Sequence, residues 1–308
     1  MFILGQTLIL LGFALQIFNL IIDIRFILSK RHTVTQNRRS QFLDFLILDM
    51  IMLFCAVYLI IFFVKLQTPW VGILLFAGAV FVTTVLLWIN TLTKEIRESA
   101  FAISETLIGI VEARDPNLNG HSLHVQELSL LIYNNLPAGF KRRINEENLK
   151  YAALFHDVGK LGVPEAILNK PAALAPEEWN VMRRHPELSV QILRPLKSFD
   201  LIKEWIMYHH ERIDGSGYFG IPGDKIPFAA RIISVADTYS AITMARSYKP
   251  GKSHEEAIEI LLRVEGKQLD TYLVSLFCTI PKEDVLACMD RVREKIRNQS
   301  SVSDMLEV

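Results

Sequence analysis

The chain has 308 residues, which is more than one average domain, and 51% of them are hydrophobic. Its 33 basic and 33 acidic residues cancel, so no overall field would draw the protein to nucleic acid. Three cysteines without CxxC spacing predict neither a thiolate metal site nor a disulfide framework. The long apolar runs all precede residue 92, so the chain divides into an apolar region and a region of ordinary soluble composition.

Three apolar runs near the N-terminus are long enough to cross a bilayer. A helical span needs about 20 predominantly apolar residues, and residues 2–22, 45–64 and 71–89 each provide such a run. The first run lacks the basic start and the small-residue cleavage signal of a secretory signal peptide. The sequence therefore predicts an uncleaved transmembrane region over residues 1–91 with three spans.

The basic residues between these runs predict their orientation. Five basic residues lie between the first and second runs, whereas only Lys65 lies between the second and third. Cytoplasmic loops carry the excess of lysine and arginine. We therefore expect the N-terminus to face outward and everything after residue 92 to lie in the cytoplasm.

Residues 92–112 are predicted to continue the third span as a connecting helix. Apolar side chains recur there at helical spacing, at Ile96, Ala100, Ile103 and Leu107. Two arrangements would bury this stripe: a homodimer through the 92–112 helix, or packing on the core of the following domain. The sequence alone leaves both open.

The rest of the chain is predicted to be all α, with a domain over residues 113–299 and a tail over 300–308. No alternating pattern of convincing length predicts a strand. Helical patterns occur at 121–135, 145–155, 176–184, 201–210, 228–245, 253–264 and 281–298. Ser253 and Glu256 predict a capping box at the start of one of these helices.

Seven side chains of metal-binding type recur along these helices. They are His121, His156, Asp157, His185, His209, His210 and Asp237. Their intervals match successive helices of a bundle, so different helices can bring them to one place. Six of the eight histidines fall within residues 121–210, a concentration that favours a metal site over structural histidines. Nitrogen and oxygen ligands without thiolate suit Fe, Mn, Zn or Ni.

Five imidazoles and two carboxylates are enough for two metal ions. Asp157 is the natural bridging ligand, and two metals about 3.5–4 Å apart would activate a water and polarise a phosphoryl oxygen. Lys160 follows His156 by one helical turn, where its ammonium would neutralise phosphate charge. The sequence therefore predicts a hydrolase of phosphate esters with a dinuclear centre.

Several separate motifs resemble the HD-GYP family of bacterial cyclic dinucleotide phosphodiesterases, a branch of the HD phosphohydrolase superfamily. The matching residues are 113–116 (ARDP), 120–122 (GHS), 152–160 (AALFHDVGK), 163–171 (VPEAILNKP), 185–186 (HP), 209–218 (HHERIDGSGY), 226–227 (IP) and 230–237 (ARIISVAD). These motifs agree with the family in order and spacing over roughly residues 105–280. The resemblance implies a cytoplasmic HD-type helical bundle at a bacterial inner membrane.

The resemblance also implies an activity, which is hydrolysis of cyclic di-GMP to linear pGpG and, in many members, on to GMP. It implies two divalent metals, Fe or Mn. One would be held by His121, His156, Asp157 and Asp237, and the other by Asp157, His185, His209 and His210. Lys160 would contact the scissile phosphate. Asp214, Gly217 and Tyr218 would form a loop beside the second metal, and Arg231, Arg246 and Lys249 would contact the substrate's phosphates.

Four positions depart from the family's pattern. Phe219 replaces the proline of Gly-Tyr-Pro, which predicts a looser turn, and His124 stands where arginine is common. Ser240 and Ala245 stand where aspartate is usual. These changes bear on substrate affinity and on the loop more than on the metal ligands. Asn117 lies at about the position of an extra carboxylate in three-metal members, so two metals are expected.

Three other functions compete with a cyclic di-GMP phosphodiesterase. The domain could act on another cyclic dinucleotide such as cyclic GMP-AMP. It could instead be a metal-loaded receptor or scaffold without turnover, which the Phe219 departure favours and the intact ligand set with Lys160 opposes. A transporter is disfavoured, because only three spans and no paired broken helices are predicted.

Overall fold

The computed structural model describes residues 2–30, 38–64, 68–112, 120–170, 172–244 and 250–304. These residues form helices and no β-strand, apart from one isolated parallel bridge between Glu265 and Leu269. The expected all-α class is therefore confirmed for the described residues. The chain forms two compact units, residues 1–102 and residues 103–308.

The first unit contains α1 (Phe2–Lys30), α2 (Arg38–Phe63) and the first part of α3 (Pro69–Glu112). Ile9, Tyr58 and Ala79 form its buried centre. The Tyr58 hydroxyl donates a hydrogen bond to the backbone carbonyl of Leu75. A Cβ at Gly12 would lie 2.7 Å from the Tyr58 ring, so α1 and α2 approach closely because this position has no side chain.

Two helices among the described residues are long and apolar enough to cross a membrane. They are Ile3–Ile24 and Pro69–Gly109, with mean hydropathy values of 2.1 and 2.4. Within α2, the segment Ile47–Phe63 is apolar but shorter. A buried core helix or a signal sequence can have the same length and composition, so the three-span arrangement stays a prediction.

The second unit is a bundle of helices. They are α4 (His121–Asn135), α5 (Ala138–Lys141), α6 (Glu146–Phe155), α7 (Glu165–Leu168), α8 (Pro176–Met182), α9 (His185–Leu193), α10 (Asp200–Met207), α11 (Phe228–Thr243), α12 (His254–Val264), α13 (Thr271–Cys278) and α14 (Lys282–Asp304). Helix α4 packs against α6, α11 and α14, and α10 packs against α6 and α9. Three short 3₁₀ helices cover Val158–Gly162, Lys197–Phe199 and Gly223–Lys225. The predicted capping box is confirmed, with Ser253 and Glu256 each accepting the other's backbone N–H.

The His-Asp pair departs from the helix on which the sequence places it. α6 ends at Phe155, and Asp157 has φ −104° and ψ 4°. The next segment is a 3₁₀ helix, so Lys160 does not continue the face of α6. The cause is tertiary, because a Cβ at Gly159 would lie 1.9 Å from the carbonyl oxygen of His185. The backbone therefore turns to pack directly on α9.

Candidate metal centre

The seven predicted ligands gather in two groups in the second unit. The first ligand group contains His121, His156 and Asp237, and the second contains Asp157, His185, His209 and His210. Within each group the potential donor atoms all lie within 4.8 Å of one another. They come from the start of α4, the end of α6, the start of α9, the turn after α10 and the middle of α11.

Asp157 lies between the two groups. Its Oδ2 atom is 3.4 Å from His156 Nε2 and 3.9 Å from His121 Nε2, on the side of the first group. Its Oδ1 atom is 3.1 Å from His185 Nε2 in the second group. The two oxygens of one carboxylate thus face two sets of imidazoles, which is the arrangement that a bridging ligand requires.

Three of the histidines are oriented by the backbone carbonyl three residues before them. The Nδ1–O distances are 2.7 Å for His156 to Ala153, 2.9 Å for His185 to Met182 and 2.6 Å for His209 to Ile206. Because a carbonyl oxygen only accepts, Nδ1 carries a proton, and Nε2 is the nitrogen left to face a metal. Metal-binding histidines are commonly oriented in this way.

His121 is oriented by a side chain. Its Nδ1 lies 2.9 Å from the Ser240 hydroxyl of α11, and its Nε2 lies 3.1 Å from Asp237 Oδ1. The same hydroxyl lies 3.0 Å from Nδ1 of His124, which is buried. His124 and Ser240, two of the departures from the family pattern, are therefore in direct contact.

The surroundings set the protonation states that metal ligands need. Burial opposes charge on Asp157, but Lys160 and His156 hold the pKa of its carboxyl well below the ordinary value. Burial likewise opposes charge on Asp237, and His121 more than offsets it, so that pKa is also lowered. Burial lowers the pKa of His210 to about 3, with a further contribution from His185. The carboxylates are therefore ionised and the His210 ring is neutral at pH 7.

These residues fit two divalent ions. The Nε2 atoms of His156, His185 and His209 and Oδ1 of Asp157 are buried and make no well-aligned hydrogen bond to any described residue. Leaving a buried polar atom unsatisfied costs about 1–3 kcal/mol. Several such atoms converge here, and all belong to groups that bind metals.

Lys160 lies against this centre. Its Nζ atom is 2.5 Å from Asp157 Oδ2, and 19% of its side chain is exposed. The contact is an i,i+3 pair, because the 3₁₀ helix brings residues three apart to the same face. The ammonium therefore lies at the accessible edge of the candidate bridging carboxylate.

The predicted loop residues are separated by the structure. The Tyr218 ring centroid lies 4.7 Å from that of His210 and 6.1 Å from that of His185, beside the second ligand group. Asp214 instead lies at the surface, where it pairs with Arg212 and accepts hydrogen bonds from Ser216. The described contacts of Asp214 thus stabilise the turn itself.

Of the three predicted basic contacts, the structure describes Arg231. Arg231 donates to Asp270 at 2.7 Å, and its guanidinium lies 5.2 Å from the Phe228 ring centroid. Asp270 caps α13 by accepting from the Leu273 N–H, so Arg231 connects α11 to α13. Arg246 and Lys249 lie outside the described residues.

Two buried carboxylates were overlooked by sequence reasoning. Glu112, at the end of α3, accepts from the backbone N–H groups of Gly120 and Ser122 at 2.8 and 2.6 Å, and so caps the helix that carries His121. Burial raises its pKa, although these hydrogen bonds oppose the rise. Glu211 follows His210 directly and holds the loop that carries Tyr218. In the sequence, the position of Glu211 within the matching motif at 209–218 was the available signal. Helical periodicity does not show which backbone groups this carboxylate contacts.

A family model described as HD domain matches residues 105–273. The match covers more than half of the chain and includes all seven candidate ligands. The chain therefore belongs to the HD domain family.

Three curated relatives share the same region. The chain is 36% identical over 191 residues to a probable cyclic di-GMP phosphodiesterase of Vibrio cholerae. The aligned region covers 57% of this chain and 43% of the relative. It is 34% identical over 188 residues to a 3'3'-cGAMP-specific phosphodiesterase 2 of the same organism, covering 60% and 35%. It is 34% identical over 192 residues to a cyclic di-GMP phosphodiesterase of Thermotoga maritima, covering 61% and 51%. The match thus spans about half or less of each relative.

Proposed function

We propose that this protein is a membrane-anchored cyclic di-GMP phosphodiesterase of the HD-GYP type, with two divalent metals. The observation that carries the proposal is the position of Asp157 between two groups of buried imidazoles. The names of the relatives support a cyclic dinucleotide as substrate. The product would be linear pGpG, with further hydrolysis to GMP as a second step.

In this proposal the two ligand groups hold one metal each and share Asp157. His121, His156 and Asp237 complete the first site, and His185, His209 and His210 complete the second. When bound, the metals supply an activated water and a polarised phosphoryl oxygen. Fe and Mn suit this set of nitrogen and oxygen donors.

Lys160 and Tyr218 would act on the phosphodiester. The Lys160 ammonium at the edge of Asp157 would neutralise charge on the scissile phosphate. Burial and the two aspartates raise the pKa of Tyr218 to about 12, so the phenol keeps its proton at pH 7. Its hydroxyl would therefore donate a hydrogen bond to a substrate oxygen beside the second metal.

Three further parts of the proposal concern the membrane. We infer a transmembrane region over residues 1–91 with three spans, a connecting helix at 92–112, a cytoplasmic domain at 113–299 and a tail at 300–308. Two apolar helices of sufficient length and the continuity of α3 support this arrangement. The basic loop between the first two predicted spans supports a catalytic domain on the cytoplasmic side of a bacterial inner membrane.

The connecting helix would join two copies of the chain. Ile96, Ile103 and Leu107 are 61%, 60% and 55% exposed, so packing on the domain's own core does not account for the stripe. Their spacing fits a two-stranded coiled coil. Changing both Ile103 and Leu107 to glutamate should convert a dimer to a monomer in analytical ultracentrifugation. A monomeric parent protein would rule the dimer out.

Cyclic GMP-AMP is the second candidate substrate, because one of the relatives is named for it. The two substrates can be compared directly with the full chain in detergent, loaded with Mn²⁺ or Fe²⁺. We expect about two metals per chain and release of pGpG from cyclic di-GMP at a higher kcat/KM than for cyclic GMP-AMP. Full metal loading without turnover of either substrate would refute the enzyme and leave a receptor.

A further inference from the structure

The loop that carries Tyr218 is fastened to a buried carboxylate. Glu211 is only 3% exposed. Its Oε1 accepts from the Phe219 N–H at 2.6 Å, and its Oε2 accepts from the Ile221 N–H at 2.8 Å. Each oxygen of Glu211 therefore fixes one point of the loop through a backbone N–H.

One of these two donors exists only because residue 219 is not proline. Proline has no backbone N–H and fixes its own φ angle. Phe219 lacks that restriction, which is why the sequence predicts a looser turn. The structure shows that this chain gains a hydrogen bond to Glu211 that proline could not make. The loss of ring rigidity is thus offset by an added anchor.

The backbone before Tyr218 lies directly on Glu211. A Cβ at Gly217 would lie 2.6 Å from Glu211 Cα and 2.8 Å from Glu211 Oε2. Only a residue without a side chain permits this approach. The segment from Gly217 to Ile221 is therefore held along its length by one residue.

The position of Tyr218 follows from this attachment. Tyr218 follows Gly217, which packs on Glu211, and precedes Phe219, which donates to Glu211. The Tyr218 ring packs at 39° to the His210 ring. The Arg183 guanidinium lies 5.5 Å from the Tyr218 ring centroid. By contrast, the Phe219 ring is 42% exposed, with its edge toward Tyr208. The backbone of Phe219 thus does more for the loop than its side chain.

We infer that Glu211 is a positioning residue, which holds Tyr218 against the second ligand group through the N–H groups of Phe219 and Ile221. In this chain, one of the two hydrogen bonds by which Glu211 fixes the loop comes from the Phe219 N–H. The consequence for substrate binding rests on the proposed function, whereas the consequence for loop order does not. Loss of either partner should free Tyr218 without removing a metal ligand.

A double-mutant cycle on the full chain tests this coupling. The variants are Glu211→Gln, Phe219→Pro and the double variant, with Phe219→Ala as the control that keeps the N–H but loses the ring. Hydrogen exchange of residues 217–221 reports loop order, and a Mn²⁺ titration reports the metal centre. The third measurement separates kcat from KM for cyclic di-GMP.

We expect Glu211→Gln to speed exchange in the loop about tenfold and to raise KM more than it lowers kcat. When residue 219 is already proline, Glu211→Gln should speed exchange in the loop clearly less, because the N–H of residue 219 is already absent. Phe219→Ala should retain the parent's slow exchange. Mn²⁺ loading of Glu211→Gln should stay at the parent level.

Two results would overturn the inference. Fully additive effects of Glu211→Gln and Phe219→Pro on loop exchange would show that the two groups do not act together. Equal loss of protection in Phe219→Ala and Phe219→Pro would assign the anchor to the ring. If the parent hydrolyses no cyclic dinucleotide but the exchange data show coupling, the positioning role stands and the proposed function fails.

Discussion

Both ligand groups contain a histidine oriented by a backbone carbonyl three residues earlier, but the first group also contains one that depends on a distant side chain. In the second group, His185 and His209 each point Nδ1 at a backbone carbonyl three residues earlier. In the first group, His121 depends on the hydroxyl of Ser240, which is 119 residues away. A carbonyl of the same turn is present whatever the side chains are, whereas a distant hydroxyl can be lost by one substitution. The first group is therefore the more sensitive to changes outside its own ligands.

Ser240 also couples His121 to a residue that is not a ligand. One hydroxyl can donate to one ring and accept from the other. If Ser240 donates to His124 Nδ1, it accepts from Nδ1–H of His121, which leaves Nε2 of His121 free for a metal. The neutral state of His124 supports this arrangement, because burial lowers its pKa to about 3.

Asp157→Ala should impair both groups equally, since the proposed function has them share this carboxylate. We expect loss of both metals and a fall in hydrolysis of at least about a thousandfold, measured by elemental analysis and by pGpG release. Asp224→Ala removes an exposed carboxylate, 74% of whose side chain is accessible, and is the matched control. Retention of two metals in Asp157→Ala would show that the residue bridges nothing.

Lys160→Met should separate metal binding from turnover. The ammonium contacts Asp157 without being a ligand, so the metal content should stay near that of the parent. Turnover should fall about a hundredfold, because phosphate charge is no longer neutralised. Lys203→Met, on α10 and paired with Asp200, serves as the control. A loss of metal in Lys160→Met would instead make this lysine part of the metal centre.

Local patterns in the sequence were enough to predict part of this structure. The helix at 121–135 is found with the same bounds, and Ser253 caps α12 as expected. Capping and periodicity depend on neighbours in the chain, which a sequence displays directly. The seven candidate ligands were selected for a similar reason, because metal chemistry needs particular side chains, and the structure brings them together in two groups.

Contacts between distant residues could not be predicted in the same way. Helices α9 and α13 are short, at 9 and 8 residues, and give little periodic signal. The turn at Asp157 depends on how closely Gly159 approaches α9. The contact between His124 and Ser240 joins two departures that look independent in the sequence.

Ser240→Ala should weaken the first group alone. Removing the partner of a metal-binding histidine typically costs about 10–100-fold in affinity, so a Mn²⁺ titration should separate into one unchanged and one weakened site. Thr243→Ala is the control on the same helix, because the described partner of that hydroxyl is the helix's own backbone, at Tyr239. An equal loss at both sites would mean that the groups are not independently held.

In the metal-free protein, lowering the pH should have opposite effects on the folding stability that histidines of the two groups contribute. Burial lowers the pKa of His210 to about 3 and that of His209 well below its ordinary value. Burial also opposes charge on His156, but Asp157 outweighs it and raises the His156 pKa. The second group thus contains two rings that resist protonation, His209 and His210, whereas the first contains a ring that favours the proton.

The sign of the pH effect follows from where the unfolded chain binds more protons. Below about pH 6.5 the unfolded state protonates His209 and His210 while the folded state does not. Their contribution to stability is complete above that pH and is lost as the pH falls toward about 3. The His156 contribution is complete below about pH 6.5 and is lost at higher pH, through its raised folded value. The pKa values of His124, His209, His210 and His254 are lowered and that of His156 is raised. The net stability should therefore fall on acidification.

Thermal unfolding of the metal-free full chain in chelator, from pH 8 to pH 5, measures this balance. At pH 5 a ring shifted as far as His210 should cost about 2 kcal/mol. His210→Gln removes that ring, so its unfolding midpoint should depend less on pH than that of the parent, although it lies lower at pH 8. A parent midpoint that stays constant from pH 8 to pH 5 would contradict the neutral state of the second group. A histidine ring must be neutral to bind a metal. A constant unfolding midpoint would therefore also argue against a metal site at the second ligand group.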